Sequence, residues 1–372
     1  KIMINQQQRG SDRQAEEFVT QFLVAHENAG YSIGIPEWAF VRAIQGVVLQ
    51  GVLHSLLAEG ASRCRDHAHY QEFITAYREL KQEIYRIQEQ ELKPSRLSQL
   101  IADWSEKLPR ISNSVKYFAY GMHRGNFDKA LKAFVQKWCS SEIKGEPVRI
   151  HIDGEAYMRV AQYEEINETL LATLGFGQFT LTHAPIWSYF DYLIASMIQR
   201  AEEAIALHRA ALEREQSSEE QQRIQQALQE KESSLQQLRK VDDALRNVVA
   251  APLYRAAGLE MPEAMGEVME AAKPVIPTSR PSGELVPYVG EALLKLKHGY
   301  DLVINVAPEG CMVSSMGESI TPGIYAASPG VKGKVQHLFS QQGDVDDELI
   351  AQALLKTIGP VRYYQAAEAV VS

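Results

Sequence analysis

Cys311 follows an apolar run, residues 302–306, and a Pro308-Glu309-Gly310 turn, and it heads a segment with helical spacing. A cysteine in that place meets the unpaired N–H groups and the positive dipole end of a helix, which favour its thiolate. Such a thiolate can bind a metal cluster or attack an electrophile, and the same residue can equally fill a small apolar space under a loop. Gly310 relieves the sharp exit from the run and permits close approach of a ligand to the backbone, and Ser314 and Ser315 stand nearby. Asp153-Gly154-Glu155 ends a second, strand-like run, with Tyr157 and Arg159 just beyond. Here Glu155 could accept a proton and Arg159 could pair with a carboxylate or phosphate, or both could simply cap a helix and tie down a strand end. His183 closes a third run and could reach the same rim, where it is the candidate base if Cys311 acts as the nucleophile of a transferase. Cys64, His67 and His69 have metal-binding types, but residues two apart face different sides of a helix, and a zinc site needs a further ligand. Cys139, after Trp138, reads as core or buried edge.

The elements that must position these residues follow from periodicity. Helical spacing marks 11–29, 36–59, 66–92, 97–107 and 126–140, with Pro36 suited to a first turn and Asn126 to an N-cap. Lys144-Gly145-Glu146-Pro147 closes this mainly helical region and places a boundary near 145. From there to 372 the pattern alternates: strand 148–153, helix 156–174, strand 179–183, and later strands 302–306 and 334–339, each followed by a helix. Strands separated by helices rather than hairpin turns imply crossovers and a parallel sheet, so the expected fold class is α/β, a Rossmann-like domain of at least four parallel strands. Between the second and third strands, residues 197–250 carry Ile205, Leu212, Ile224, Leu228, Leu235, Leu238, Leu245 and Val248 at helical spacing. Ser217-Ser218 breaks that run, which predicts a helical hairpin, either packed on the domain or offered to a partner.

Composition narrows the function classes. The chain has 372 residues, 45% of them hydrophobic, as in an ordinary globular protein. Its net charge of -9, without clustered Lys and Arg, argues against a nucleic-acid surface. The apolar stretch 40–57 is interrupted by Arg42, Gln45, Gln50 and His54, which suits a buried helix rather than a membrane span. Three scattered cysteines and the lack of a visible signal peptide point to a reducing cytoplasm. The start at Lys1 suggests a piece of a longer protein.

In order along the chain stand Asn126-Phe-Asp-Lys-Ala-Leu-Lys-Ala-Phe-Val135, then Lys144-Gly-Glu-Pro-Val-Arg-Ile-His-Ile-Asp-Gly-Glu-Ala-Tyr-Met-Arg159, Ser282-Gly-Glu284 and Val303-Ile-Asn-Val-Ala-Pro-Glu-Gly-Cys-Met312. This succession resembles the C-terminal part of the large 2-hydroxyacyl-CoA dehydratase activase-related proteins, whose last region is similar to dehydratase subunits. In that family a strand followed by Gly-Glu-x-Tyr-x-Arg and a strand followed by a Gly-Cys-Met turn recur. The resemblance covers about 95–325 well and the first 95 residues loosely. It implies Rossmann-like domains with helical additions, and it gives Cys311 the role of one ligand to an iron-sulfur cluster. The family's other cluster cysteines lie in a preceding region that has no counterpart here, and Cys64 and Cys139 do not match them. Since such a cluster usually takes about four thiolates, this chain is not expected to hold it alone.

No Walker loop and no Gly-x-Gly-x-x-Gly after a strand is found, so ATP would act only through sequence absent here. The implied class is ATP-driven reductive or radical dehydration in the intact protein. Its implied partners are preceding domains or a partner subunit, an acyl-CoA, or a second copy in a homodimer, with no nucleic acid and no membrane. Lys273, Arg280, Lys295 and Lys297 are the cations available for CoA phosphates. The alternative is a non-catalytic domain that docks a partner through the 197–250 hairpin and holds no cluster.

Overall fold

The computed structural model describes residues 37–89, 125–143, 145–155, 158, 163–279, 283–340 and 347–358. The chain divides into two compact units, Lys1–Ala43 with Pro94–Gly121, and Ile44–Lys93 with Met122–Ser372, and the architecture below is that of the second. The helices expected at 11–29 and 97–107 lie outside the described residues.

Three helices come first: α1 (Glu37–Ser62), α2 (His67–Glu89) and α3 (Gly125–Trp138). From residue 44 onward α1 is apolar on most of its circumference and therefore buried, with Val48, Leu49, Val52, Leu53, Leu56 and Leu57 all in the core. Helices α2 and α3 each bury one stripe, and Phe73 and Tyr77 of α2 meet Phe134 of α3 across it. Helix α3 begins one residue before the expected Asn126 cap.

The sheet follows. Strand β1 (Val148–Gly154) leads to α4 (Tyr163–Leu174), and β2 (Phe179–His183) leads to α5 (Trp187–Arg214) and α6 (Ser218–Asp243). A π-helical turn (Ala244–Ala250), α7 (Ala251–Ala256), α8 (Met265–Ala272) and α9 (Leu285–Lys297) precede β3 (Leu302–Pro308). Then come α10 (Met312–Ala327), β4 (Val335–Ser340) and α11 (Asp347–Ile358). All strand pairs are parallel, in the order β2-β1-β3-β4, so the chain is an α/β protein with a four-stranded parallel sheet. Parallel pairing follows from the intervening helices, because a strand can return in the same direction only through a crossover.

Period-two alternation then sorts the side chains to two faces. Ile150, Ile152, Leu302, Ile304, Val306, Phe179 and Leu181 join one core with α1, α4 and α11. Val303 and Val335 face the other way, into a core with α8, α9 and Ile324 of α10. The first core runs without a break from α1–α3 into the sheet, so the polar segment near 145 interrupts the chain but not the packing. Each fully buried Ile or Leu in it contributes about 1.5–3 kcal/mol.

Helix α5 starts at Trp187, ten residues before the expected insertion, so the helix after β2 itself runs outward. Residues 215–217 turn the chain back into α6. Glu202 pairs with Arg239 and Arg209 with Glu232, each at 2.7 Å, so partner numbers fall as the others rise and the two helices run antiparallel. Ile205 and Leu235 are buried between them. At the base, Arg246 of the π-helical turn binds Asp191 of α5 at 2.5 Å and the carbonyl of Pro262 at 2.9 Å. Among the described residues no helix is long and apolar enough to cross a membrane.

Candidate functional site

The carboxyl edge of the central strands is assembled around two glycines. Gly154 ends β1 at φ +109°, and a Cβ there would lie 2.2 Å from the Val306 carbonyl oxygen, so only glycine allows β1 to close on β3 at this point. The next amide, of Glu155, donates to that same oxygen at 2.8 Å, which fixes where the Glu155 side chain leaves the sheet. Strand β3 exits through Glu309 and Gly310, and the Cys311 amide donates to the Pro308 carbonyl at 3.1 Å to close the turn. Gly310 takes φ +79° with open space above it, so the turn demands glycine for its backbone and not for want of room.

Cys311 is the N-cap residue of α10, extended at φ -63° and ψ 113°. Its thiol approaches Glu155 Oε2 at 3.8 Å. Two of the residues singled out by sequence, Glu155 and Cys311, therefore meet at one rim although they lie 156 positions apart. Ser315 donates to the Cys311 carbonyl at 2.9 Å, and Ser314 turns inward to Asn305 Oδ1 at 3.3 Å. Tyr157 and Arg159 lie outside the described residues.

His183 sits elsewhere. It pairs in register with Ile152 and shares the apolar face, where its ring lies 4.6 Å from that of Tyr163 and 5.4 Å from that of His54. Cys311 heads a helix on the opposite face. Period-two spacing carried a signal for this, since His183 follows Phe179 and Leu181 on the same side of β2.

The other cysteines do not supplement Cys311. Cys64 is buried and donates to the Gly60 carbonyl at 3.3 Å, and burial pushes its thiol up to about 12. Burial likewise pushes Cys139 up to about 11. Neither position favours a thiolate, so the residues of this chain do not fit a four-thiolate cluster; at most Cys311 offers one ligand. His67 and His69 do not converge with Cys64: His69 packs on Trp138 at 5.4 Å, and His67 meets Gln71 at 3.5 Å.

The cations proposed for CoA phosphates are also spread apart. Lys295 is mostly buried and held by both oxygens of Glu263 at 2.7 and 2.8 Å. Burial opposes its charge, but Glu263 outweighs that and keeps its pKa above the usual value. Lys273 pairs with Glu270, Lys297 is exposed, and Arg280 lies outside the described residues.

A polar layer that sequence reading did not single out lies under α9 and α10. His151 and Asp153 of β1, Thr182 of β2, Asn305 of β3 and His337 of β4 all occupy the face opposite Ile152. His151 Nε2 lies 3.1 Å from Glu291 Oε2 of α9, and its Nδ1 lies 2.9 Å from Thr182 Oγ1, which donates to the Tyr300 hydroxyl at 3.2 Å. Asn305 donates to His337 Nδ1 at 3.0 Å, and His337 Nε2 meets Thr321 Oγ1 at 2.8 Å. Burial lowers the His337 pKa to about 4, so the ring is neutral at ordinary pH. The available sequence signal was a histidine and an aspartate alternating with isoleucines in a strand of a parallel sheet, a kind of sheet that helices cover on both faces.

No known protein family, curated protein or solved structure matches this chain. Its class rests on the fold: a parallel α/β sheet with a thiol and a carboxylate at its carboxyl edge.

Proposed function

We propose that the chain is a Rossmann-like, dehydratase-subunit-like domain that contributes Cys311 to a composite site completed by groups from outside it. The carrying observation is the 3.8 Å approach of Cys311 to Glu155 at the carboxyl edge, where open parallel sheets bind their ligands. Met312 and Met316, four apart on one helix face beside Cys311, are 73% and 40% exposed. Covering them with a second domain or subunit would exclude water from the thiol and bury about 1.5–3 kcal/mol of apolar surface per side chain. On the resemblance, the shared group is an iron-sulfur cluster with Cys311 as one ligand and an acyl-CoA as substrate, and ATP is handled outside this chain. When bound, such a cluster supplies one-electron reduction. Within this chain Glu155 holds or releases a proton beside the thiol, and Gly310 leaves the backbone open to the incoming group. Three free cysteines are compatible with a reducing cytoplasm.

The test is anaerobic reconstitution of the protein in its native assembly, with iron and acid-labile sulfide counted per chain. Stoichiometric iron that is lost in Cys311→Ala supports the reading. Unchanged iron content and turnover in Cys311→Ala sink it. The second reading, a partner-docking domain using the α5–α6 hairpin, is favoured by Leu207, a large apolar residue 71% exposed on the arm. It predicts that Leu207→Glu abolishes association while Cys311→Ala does not.

A further inference from the structure

We propose that His151, Asp153 and Glu291 form a binding site for one divalent transition-metal ion, of the zinc or manganese class, between the sheet and α9. Among the described residues they are the one group of three or more His, Cys, Asp or Glu side chains whose ligand atoms cluster closely, all within 4.8 Å of one another. Nitrogen and carboxylate ligands stand about 2.0–2.2 Å from zinc, so the ligand atoms of one tetrahedral ion are about 3.5 Å apart, and binding would draw these side chains closer together. All three side chains are buried, with exposures of 1%, 3% and 5%.

The hydrogen-bond directions supply an independent argument. Thr182 Oγ1 stands within hydrogen-bond reach of both the Tyr300 hydroxyl, at 3.2 Å, and His151 Nδ1, at 2.9 Å; in the arrangement where its one proton goes to Tyr300, its oxygen accepts from Nδ1 and the ring proton resides there. The lone pair of Nε2 then points at the Glu291 carboxylate 3.1 Å away, two acceptors facing each other. A second ring proton or a metal ion relieves that opposition. A metal there would also take Asp153, which joins the same cluster, as a further ligand. Lys295 acts on Glu291 from nearby but is bound by both oxygens of Glu263. A histidine whose far nitrogen is fixed by a hydroxyl, with carboxylates on the near side, is the outer-shell pattern of metal-bound imidazole. The donor set of one imidazole and two carboxylates suits zinc, manganese or iron(II), and three protein ligands leave a coordination position open.

The full chain, stripped with chelator and shown by circular dichroism to remain folded, is titrated with zinc, manganese and cobalt(II) separately. The expected result is one ion per chain, a raised thermal midpoint, and at least tenfold weaker binding in Asp153→Asn and Glu291→Gln. Thr182→Val should weaken it about tenfold through ring orientation alone. Cys311→Ala should leave it unchanged, which separates this site from the composite one. If the carboxamide variants fail to fold, the cobalt spectrum of the wild-type protein decides: nitrogen and oxygen ligation lacks a sulfur-to-cobalt charge-transfer band. Absence of stoichiometric binding, a sulfur charge-transfer band, or undiminished binding in folded Asp153→Asn and Glu291→Gln overturns the proposal.

Discussion

The two faces of the sheet are built from the same strands and differ in what alternate residues carry. Toward α1, α4 and α11 the strands present Ile150, Ile152, Ile304 and Val306, and contacts there have no required direction. Toward α9 and α10 they present His151, Asp153, Asn305 and His337, which make directional hydrogen bonds. Apolar burial stabilises in proportion to area and tolerates rearrangement, whereas a buried polar group is costly unless each partner stands in place. The apolar face therefore holds the fold, and the polar face fixes positions. Two imidazoles make the contrast concrete: on the apolar face burial, with a smaller effect of Lys81, depresses His54 to about 3, while the half-buried His337, bonded at both nitrogens, is lowered only to about 4.

That contrast can be broken most severely from the apolar side. Ile304→Ala leaves a cavity in the centre of the sheet and should cost about 2–5 kcal/mol in urea unfolding. On the polar side, Asn305→Ala leaves His337 and Ser314 without their bridging amide and should cost about 1–3 kcal/mol. A smaller loss on the apolar side than on the polar one would reverse the assignment of roles.

Acid sharpens the comparison. Both imidazoles have folded pKa values below the unfolded value of 6.5, so the unfolded chain takes up protons first as pH falls. Stability is complete above 6.5 and declines below it, by about 1.4 kcal/mol per pH unit for each ring until its folded pKa is reached. His54→Phe should remove one of the two slopes, seen as a shallower dependence of the urea midpoint between pH 6 and 4. The smallest effects belong to the periphery. Cys311→Ser and Arg209→Ala should each change stability by about 0–1 kcal/mol, because one is a half-buried cap and the other an exposed ion pair. For Cys311, a change in iron content of the native assembly with unaltered stability would mark a binding residue rather than a structural one.

Much of the frame was legible in the residues. The strands at 148, 179, 302 and 335 were located to within one or two residues, because β-branched runs bounded by Gly and Pro leave few alternatives. Cys311 was legible as a helix cap for the same reason, since Pro308 and Gly310 end the strand where the helical period begins. His183 reads differently once alternation is carried through, for it shares the side of β2 that bears Phe179 and Leu181. The partnership of His151 with Glu291 left only a faint trace, because periodicity says which face a side chain takes and not which helix covers it.

By itself the sequence determined a parallel α/β sheet and a glycine turn presenting Cys311 at the sheet's carboxyl edge. These follow from local spacing, capping and turn chemistry, which act over a few residues. Tertiary structure alone decided the order β2-β1-β3-β4, the meeting of Glu155 with Cys311, and the burial of His151 against Glu291 across 140 positions. Those depend on how distant elements close on one another, where the free energy of a contact comes from packing and desolvation that no local pattern encodes.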